Sequence, residues 1–311
     1  MTKEKSDLDH PHFSVMLKEF LSFFADKKIR VFFEGTLGAG GHAEALLSSH
    51  PEIELYIACD KDPQAIDIAK KRLSCWREKL HIYQGDFVQL ERYLERSRVD
   101  SIDGAFFDFG VSSMQIDQPE KGFSFMKEGP LDMRMDPSQP LTAQKLINEA
   151  SEQQLSDWFF LYGEEKKSRQ IAKAIVEERR KYMIKTTTQL SDLILKVFNN
   201  KRGKLHPATL VFQALRIVVN QELSSIKEAL LKSLNFLSKG QRVGAISFHS
   251  LEDRIVKNVF KEACYLSKED KRQGRGVLAH LVTKKPLEAD WAELRLNPRS
   301  RSAKMRFAEK N

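Results

Sequence analysis

Four glycines crowd into seven residues of the stretch Glu34-Gly35-Thr36-Leu37-Gly38-Ala39-Gly40-Gly41-His42. Glycine lets a backbone approach a ligand closely and adopt positive φ. The helical pattern that follows, Ala43-Glu44-Ala45-Leu46-Leu47, sets unpaired amide donors behind the bend. A tight turn explains one or two such glycines, not four. Asp60 ends an apolar run about 20 positions further on, the place for a carboxylate that hydrogen-bonds ribose hydroxyls. The spacing Gly38-x-Gly40-x-x-Ala43 also fits a dinucleotide fingerprint, so NAD(P) and S-adenosylmethionine both stay open. Two features favour the latter. Glu34 precedes the glycines, where a carboxylate organises a cationic amino-acid moiety rather than a pyrophosphate. Gly85-Asp86-Phe87 suits a wall for an adenine ring.

These residues sit between predicted elements. Ile29–Phe33, Leu55–Cys59, Leu80–Tyr83 and Ser101–Phe107 read as strands from their β-branched and aromatic content, the last ending at Asp108. Helical stretches such as Pro63–Leu73 separate the first three. Alternating strand and helix predicts a doubly wound parallel α/β sheet with ligands at the carboxyl ends of its strands. The next strand signal, Gln241–Phe248, lies well over 100 residues beyond Asp108, too far for a simple crossover, so a module is inserted. Ser168–Val176 and Thr188–Phe198 carry helical periodicity, and Pro207 suits the first position of a helix turning Leu210, Val211, Ala214, Leu215 and Val218 inward. Met114–Pro140, rich in Gly, Pro, Met and Phe, reads as a lid or binding loop over the cofactor. Phe123 and Phe125 there either stack on a flipped base or plug the joint between domains. Ser250 and Asp253 form a candidate N-cap pair, which puts His249 at the catalytic rim or in a capping role. Ala303–Ala308 alternates as a final edge-hairpin strand does.

At 311 residues the chain suggests two domains. No apolar run approaches the ~20 residues of a membrane span, and Met1–Asp7 lacks the apolar core of a signal peptide. Cys59, Cys75 and Cys264 show no C-x-x-C spacing, which excludes a disulfide scaffold and a cysteine zinc site, and no metal is expected. A cytoplasmic home follows. The net charge of +8 is uneven: Ser151–Asn220 holds 13 basic and 7 acidic residues, Ser267–Asn311 holds 12 and 6, and the rest totals −4. Two basic segments on a near-neutral body suit phosphate neutralisation, although solvated helix faces look the same. Arg179, Arg180, Lys181, Lys201, Arg202 and Lys204 fall near predicted helix ends. Arg299, Arg301 and Lys304 flank the final strand.

Asp108-Phe109-Gly110-Val111-Ser112-Ser113-Met114-Gln115, Gly122–Met126, Gly129–Asp136, Tyr162–Glu165, His206–Thr209, Ser247–Arg254 and Asn297–Ser302 resemble, in order, the motifs of one family. It is the bacterial 16S ribosomal RNA N4-cytosine methyltransferase, and the resemblance runs from about His12 to Lys310. It implies S-adenosylmethionine as cofactor and a cytosine N4 in the decoding region of the small subunit's 16S rRNA as substrate. It also implies a class I methyltransferase (Rossmann-like) sheet with an inserted, mostly helical domain. Residues 1–113 and 221–311 then form the cofactor domain, and 114–220 an RNA-recognition domain. The family's cofactor residues carry over onto Gly40, Gly41, His42, Asp60 for the ribose, Phe87 beside the adenine, Asp108 and Gln115. Two departures are slight: Glu34 stands where many members have Asp, and the segment between Lys261 and Leu281 is shorter than in some.

Cytosine N4 has its lone pair delocalised into the ring and needs acceptors on its N–H groups. Asp108 is the catalytic candidate. Phe109-Gly110 replaces the prolines that follow the corresponding residue in other exocyclic-amine methyltransferases, so the carboxylate could instead serve the cofactor. Cytosine C5 chemistry needs a cysteine nucleophile, and none of the three is suitably placed. Three alternatives remain: a ribose 2′-O-methyltransferase, an NAD(P)-dependent oxidoreductase, and a non-catalytic rRNA assembly factor.

Overall fold

A computed structural model describes residues 14–201, 203, 205–266, 272 and 276–311. The segment Met1–Asp7, expected to carry no signal peptide, Arg202, Lys204 and part of the stretch between Lys261 and Leu281 lie outside the described residues. The chain divides into two compact units, residues 1–110 with 225–311, and residues 111–224.

Among the described residues the first unit holds seven strands: β1 (Val31–Glu34), β2 (Leu55–Asp60), β3 (Leu80–Gln84), β4 (Ile102–Asp108), β5 (Leu237–Ser247), β6 (Ala279–Leu281) and β7 (Lys304–Lys310). They form one sheet in the order β3-β2-β1-β4-β5-β7-β6. The first five are parallel, and β7 runs antiparallel to both neighbours. This is the doubly wound, Rossmann-like α/β sheet expected. Chain order reverses between β1 and β4, so the switch point lies between the strands that end in Glu34 and Asp108.

Helices α1 (Leu17–Phe24), α2 (Gly41–Ser49), α3 (Pro63–Arg72) and α4 (Leu90–Ser97) belong to the same unit. Phe20, Phe24, Phe32, Phe106, Met305 and Phe307 form much of a core to which α1, α2 and the sheet all contribute.

Two expectations in this unit are corrected. The strand at Ala303–Ala308 is not an edge. It is slotted between β5 and β6, its central residues buried rather than alternating, because a three-residue β6 covers its outer side. The helix after β5 (Ser250–Ala263) is capped by His249 with Glu252, not by Ser250 with Asp253. Glu252 Oε2 accepts from the Phe248 and His249 N–H groups at 2.8 and 3.3 Å. Asp253 is committed elsewhere, gripping Arg306 Nε and Nη2 at 2.7 and 3.1 Å.

The second unit is helical and has its own core, built from Leu131, Met133, Ile147, Leu155, Phe159, Ile171, Ile175, Leu190, Ile194, Val211 and Leu215. Its helices include Ser168–Arg179, Thr187–Val197 and Ala208–Asn220. Pro207 is the residue before the last of these rather than its first turn. That helix buries Phe212, Ile217 and Val219, while Leu210 and Val218 are half-buried.

The stretch 114–140 is mostly irregular, as expected, but tied down by its own side chains. Ser113–Asp117 is helical. Arg134 grips both Asp132 oxygens at 2.7 and 2.8 Å and donates to the carbonyls of Pro137 and Gln139, both at 2.8 Å. Asn220 takes the Met135 N–H at 2.9 Å and donates to the Met133 carbonyl at 2.8 Å. Phe123 and Phe125 pack onto this unit's own core, and Phe125 lies stacked on His206 with Phe212 at its edge. A ring face expected to receive a base or close a joint is thus taken by His206.

Candidate functional site

The carboxyl ends of β1, β2 and β4 bring Glu34, Asp60 and Asp108 to one rim of the sheet. In-register pairing of Glu34 with Ala58 and with Phe106 fixes that alignment. The glycine bend is laced to all three strands. Gly35 N–H donates to the Phe106 carbonyl at 2.9 Å, and Leu37 N–H to that of Cys59 at 3.0 Å. Gly38 N–H donates to Asp60 Oδ2 at 2.7 Å, and Thr36 Oγ1 accepts from Asp108 N–H at 2.6 Å. Gly35 cannot carry a side chain, because a Cβ there would lie 2.3 Å from the Phe107 ring. Gly40 precedes α2 with φ of 79°, the left-handed region that favours glycine.

Glu34 is buried, and Tyr56 OH donates to its Oε2 at 2.8 Å. Burial, with Asp108 and Asp60 adding repulsion against the help of Tyr56, lifts its pKa well above the usual carboxylate range. Burial likewise raises that of Asp60, whose Oδ1 accepts from Asp62 N–H at 2.9 Å. Asp108 is pushed to about 8 by burial and by the charges of Glu252 and Glu293. Glu34 Oε1 and Asp108 Oδ1 are shielded from water and have no hydrogen-bond partner among the described residues. Buried acceptors left open are costly. An arrangement of acids around two such oxygens is completed by a cationic ligand, which fits the ammonium and sulfonium of S-adenosylmethionine.

Phe87 follows β3 and meets the rings of Phe107 and Phe109 edge-on at 5.7 and 5.6 Å. It is half-buried, with Lys61 Nζ 5.9 Å from its centroid. Gly40 and Gly41 lie at the start of α2. His42 follows them, but its ring turns inward, 5.0 Å from Phe20 and from Phe106, with Nε2 3.0 Å from the Val15 carbonyl. Burial lowers its pKa to about 4, so the ring is a neutral core group and only the backbone of His42 faces the bend. Gln115 belongs to the second unit, where Oε1 accepts from Ser112 N–H at 3.0 Å and closes a capping box.

Thr36, Glu252 and Glu293 were missed by sequence reasoning. A threonine among glycines signals nothing locally, and the two glutamates reach Asp108 from remote parts of the chain.

Of the cationic candidates, Arg179 donates to the Ile147 carbonyl at 2.7 Å, and Lys181 pairs with Glu178 at 3.1 Å. Arg180 forms no ion pair among the described residues.

The profile of the MraW methylase family matches residues 9–311. A ribosomal RNA small subunit methyltransferase H from Protochlamydia amoebophila is 50% identical over 309 residues, covering 97% of this chain and 98% of that protein. One from Caldicellulosiruptor bescii is 44% identical over 304 residues, covering 96% and 99%. Among solved structures, an rRNA methylase from Streptococcus thermophilus aligns over 93% of this chain and 92% of its own, with a TM-score of 0.43 at 12% identity.

Proposed function

The chain belongs to the MraW methylase family, and from that membership we propose that it methylates the exocyclic N4 of a cytosine in the decoding region of 16S rRNA. The substrate is small-subunit rRNA, a reading that the names of its relatives support, and the setting is the cytoplasm. S-adenosylmethionine is the cofactor and supplies an electrophilic methyl group on a positively charged sulfur. A methylase uses a methyl donor, so the dinucleotide alternative of the glycine bend falls away.

Asp60 holds the ribose hydroxyls, Phe87 flanks the adenine, and the backbone of Gly40, Gly41 and His42 borders the amino-acid end. Glu34 and Asp108 meet the positive charge. A nearby cation favours the ionised carboxylate, so occupancy of the crevice readies Asp108 as an acceptor.

The unpartnered Asp108 Oδ1 at the end of β4 is the observation that carries the N4 assignment. A carboxylate oxygen there accepts from the cytosine amine, localises its lone pair and takes up the proton that N4 releases. Cysteine-based C5 chemistry finds no support. Cys59 is buried with its thiol pushed up by burial and donating to the Gly35 carbonyl at 3.4 Å, Cys75 is exposed on a short 3-10 helix, and Cys264 follows the helix after β5. Residues 111–224 serve RNA recognition, with the basic helix ends as phosphate contacts.

Incubation with labelled S-adenosylmethionine and unmethylated small subunits, followed by nucleoside mass spectrometry, tests the assignment. N4-methylcytidine is expected. A methyl on C5 or on a ribose oxygen overturns it.

A further inference from the structure

The segment before β7 builds a feature that methyl transfer leaves unused. Trp291–Leu296 is a short helix, followed by a 3-10 turn at Pro298–Ser302 that feeds β7. Met305 pairs with Ile246, and Ile246 with Asp108, so the segment arrives at the rim that carries Asp108. Glu293 fastens it there, accepting the Met16 N–H at 2.9 Å. Trp291 is 78% exposed and Leu296 68%. The Arg295 guanidinium lies over the Trp291 ring, 5.8 Å from its centroid. Arg299 and Arg301 are exposed on the next turn.

The nearby acids turn their oxygens to backbone donors rather than to Arg295 or Arg301. Glu293 is engaged by Met16, and Asp290 caps the helix by accepting the Glu293 N–H at 2.7 Å. Among the described residues, Arg295 and Arg301 form no ion pair. An apolar protein surface would bury Trp291 and Leu296 but strand the guanidinium groups around them. A single-stranded polyanion with flat bases satisfies both halves, since bases stack on exposed aromatic rings while Arg reaches phosphate.

We propose that Trp291 and Arg295, with Arg301 beyond them, form a platform for a nucleotide of single-stranded RNA beside the cytosine being methylated. One face of the indole takes a base and the other carries the guanidinium, which presses its positive charge on the ring quadrupole and on the adjacent phosphate. The platform rests on the reading of the protein as an RNA methyltransferase and adds to it a site for a neighbouring nucleotide.

Steady-state methyl transfer to unmethylated small subunits tests it, with wild type, Trp291→Ala, Trp291→Phe and Arg301→Gln compared. Trp291→Ala should raise KM about ten-fold, equivalent to about 1.4 kcal/mol. Trp291→Phe, which keeps a stacking ring, should stay within about two-fold. Arg301→Gln should weaken the salt dependence of KM. Affinity for S-adenosylhomocysteine and the melting temperature should not change, since the ring is exposed. Ultraviolet irradiation of the complex should join the Trp291 peptide to a nucleotide. An unchanged KM for Trp291→Ala overturns the platform, as does a raised KM with no nucleotide adduct, which would assign the surface to a ribosomal protein. A wild type that fails to methylate small subunits at all refutes the underlying reading instead.

Discussion

Replacement of Asp108 by asparagine should stabilise the ligand-free protein while disabling it. The wild-type carboxyl has one oxygen shielded and unpartnered, and its pKa rises from 3.8 to about 8 under burial and the charges of Glu252 and Glu293. Between those two values the folded chain binds one more proton than the unfolded chain. Stability therefore falls as pH rises through the window, and the contribution is fully present only below about pH 4. At about 1.4 kcal/mol per pH unit, the interval sets a ceiling of about 6 kcal/mol by pH 8. Water penetration and relaxation of the neighbouring acids reduce it, and about 1–3 kcal/mol is the expected gain. The amide keeps the shape and does not ionise. Its melting temperature should match wild type near pH 4 and exceed it by a few degrees at pH 8. Differential scanning calorimetry across that range reads the divergence directly. On the proposal that this carboxylate takes the N4 proton, methyl transfer should fall about 10²–10⁴-fold in the same variant. Parallel stability profiles, or a variant less stable than wild type at pH 8, would show that Asp108 ionises without penalty and refute the reasoning.

Asp60→Ala should weaken S-adenosylhomocysteine binding by about 1–3 kcal/mol in calorimetric titration, and hydrogen exchange at Gly38 should accelerate because its 2.7 Å acceptor is lost. Unchanged binding would place the ribose elsewhere. Gly35→Ala drives a Cβ to 2.3 Å from the Phe107 ring and should cost about 1–3 kcal/mol in denaturant unfolding; a neutral result would mean the ring is free to shift. Arg180→Gln should lower the salt slope of RNA binding by about 0.7, the value for one single-strand phosphate contact. Arg179→Gln, which frees the Ile147 carbonyl, should instead lower thermal stability; the reverse pattern would exchange their roles.

Much of the architecture was legible because its signals are local. The strands before Glu34, Asp60 and Asp108 are short apolar runs closed by an acid, and the glycine bend follows the first directly. The rest depends on partners distant in the chain. β7 carries no mark that says whether a further strand covers it, and the three residues Ala279–Leu281 that do so give almost no pattern. The helix after β5 begins at Ser250, a good capping type, yet His249 takes the role because Asp253 is claimed by Arg306. His42 shows the same limit at the site: the motif marks the position, but only packing against Phe20 and Phe106 shows that its ring serves the core. The acids that tune Asp108 come from 252 and 293, and no spacing rule connects them to 108.

The placement of β7 bears on how the molecule is made. It leaves the ribosome after every other strand of the sheet, yet it belongs inside, with β5 on one side and β6 on the other. Translation at about 5–20 residues per second therefore leaves β5 with a raw hydrogen-bonding edge until residues 304–310 emerge. A nascent chain halted just short of them would expose that edge and the buried faces meant for Met305 and Phe307, so truncation there should yield sticky, chaperone-dependent products rather than a smaller working enzyme.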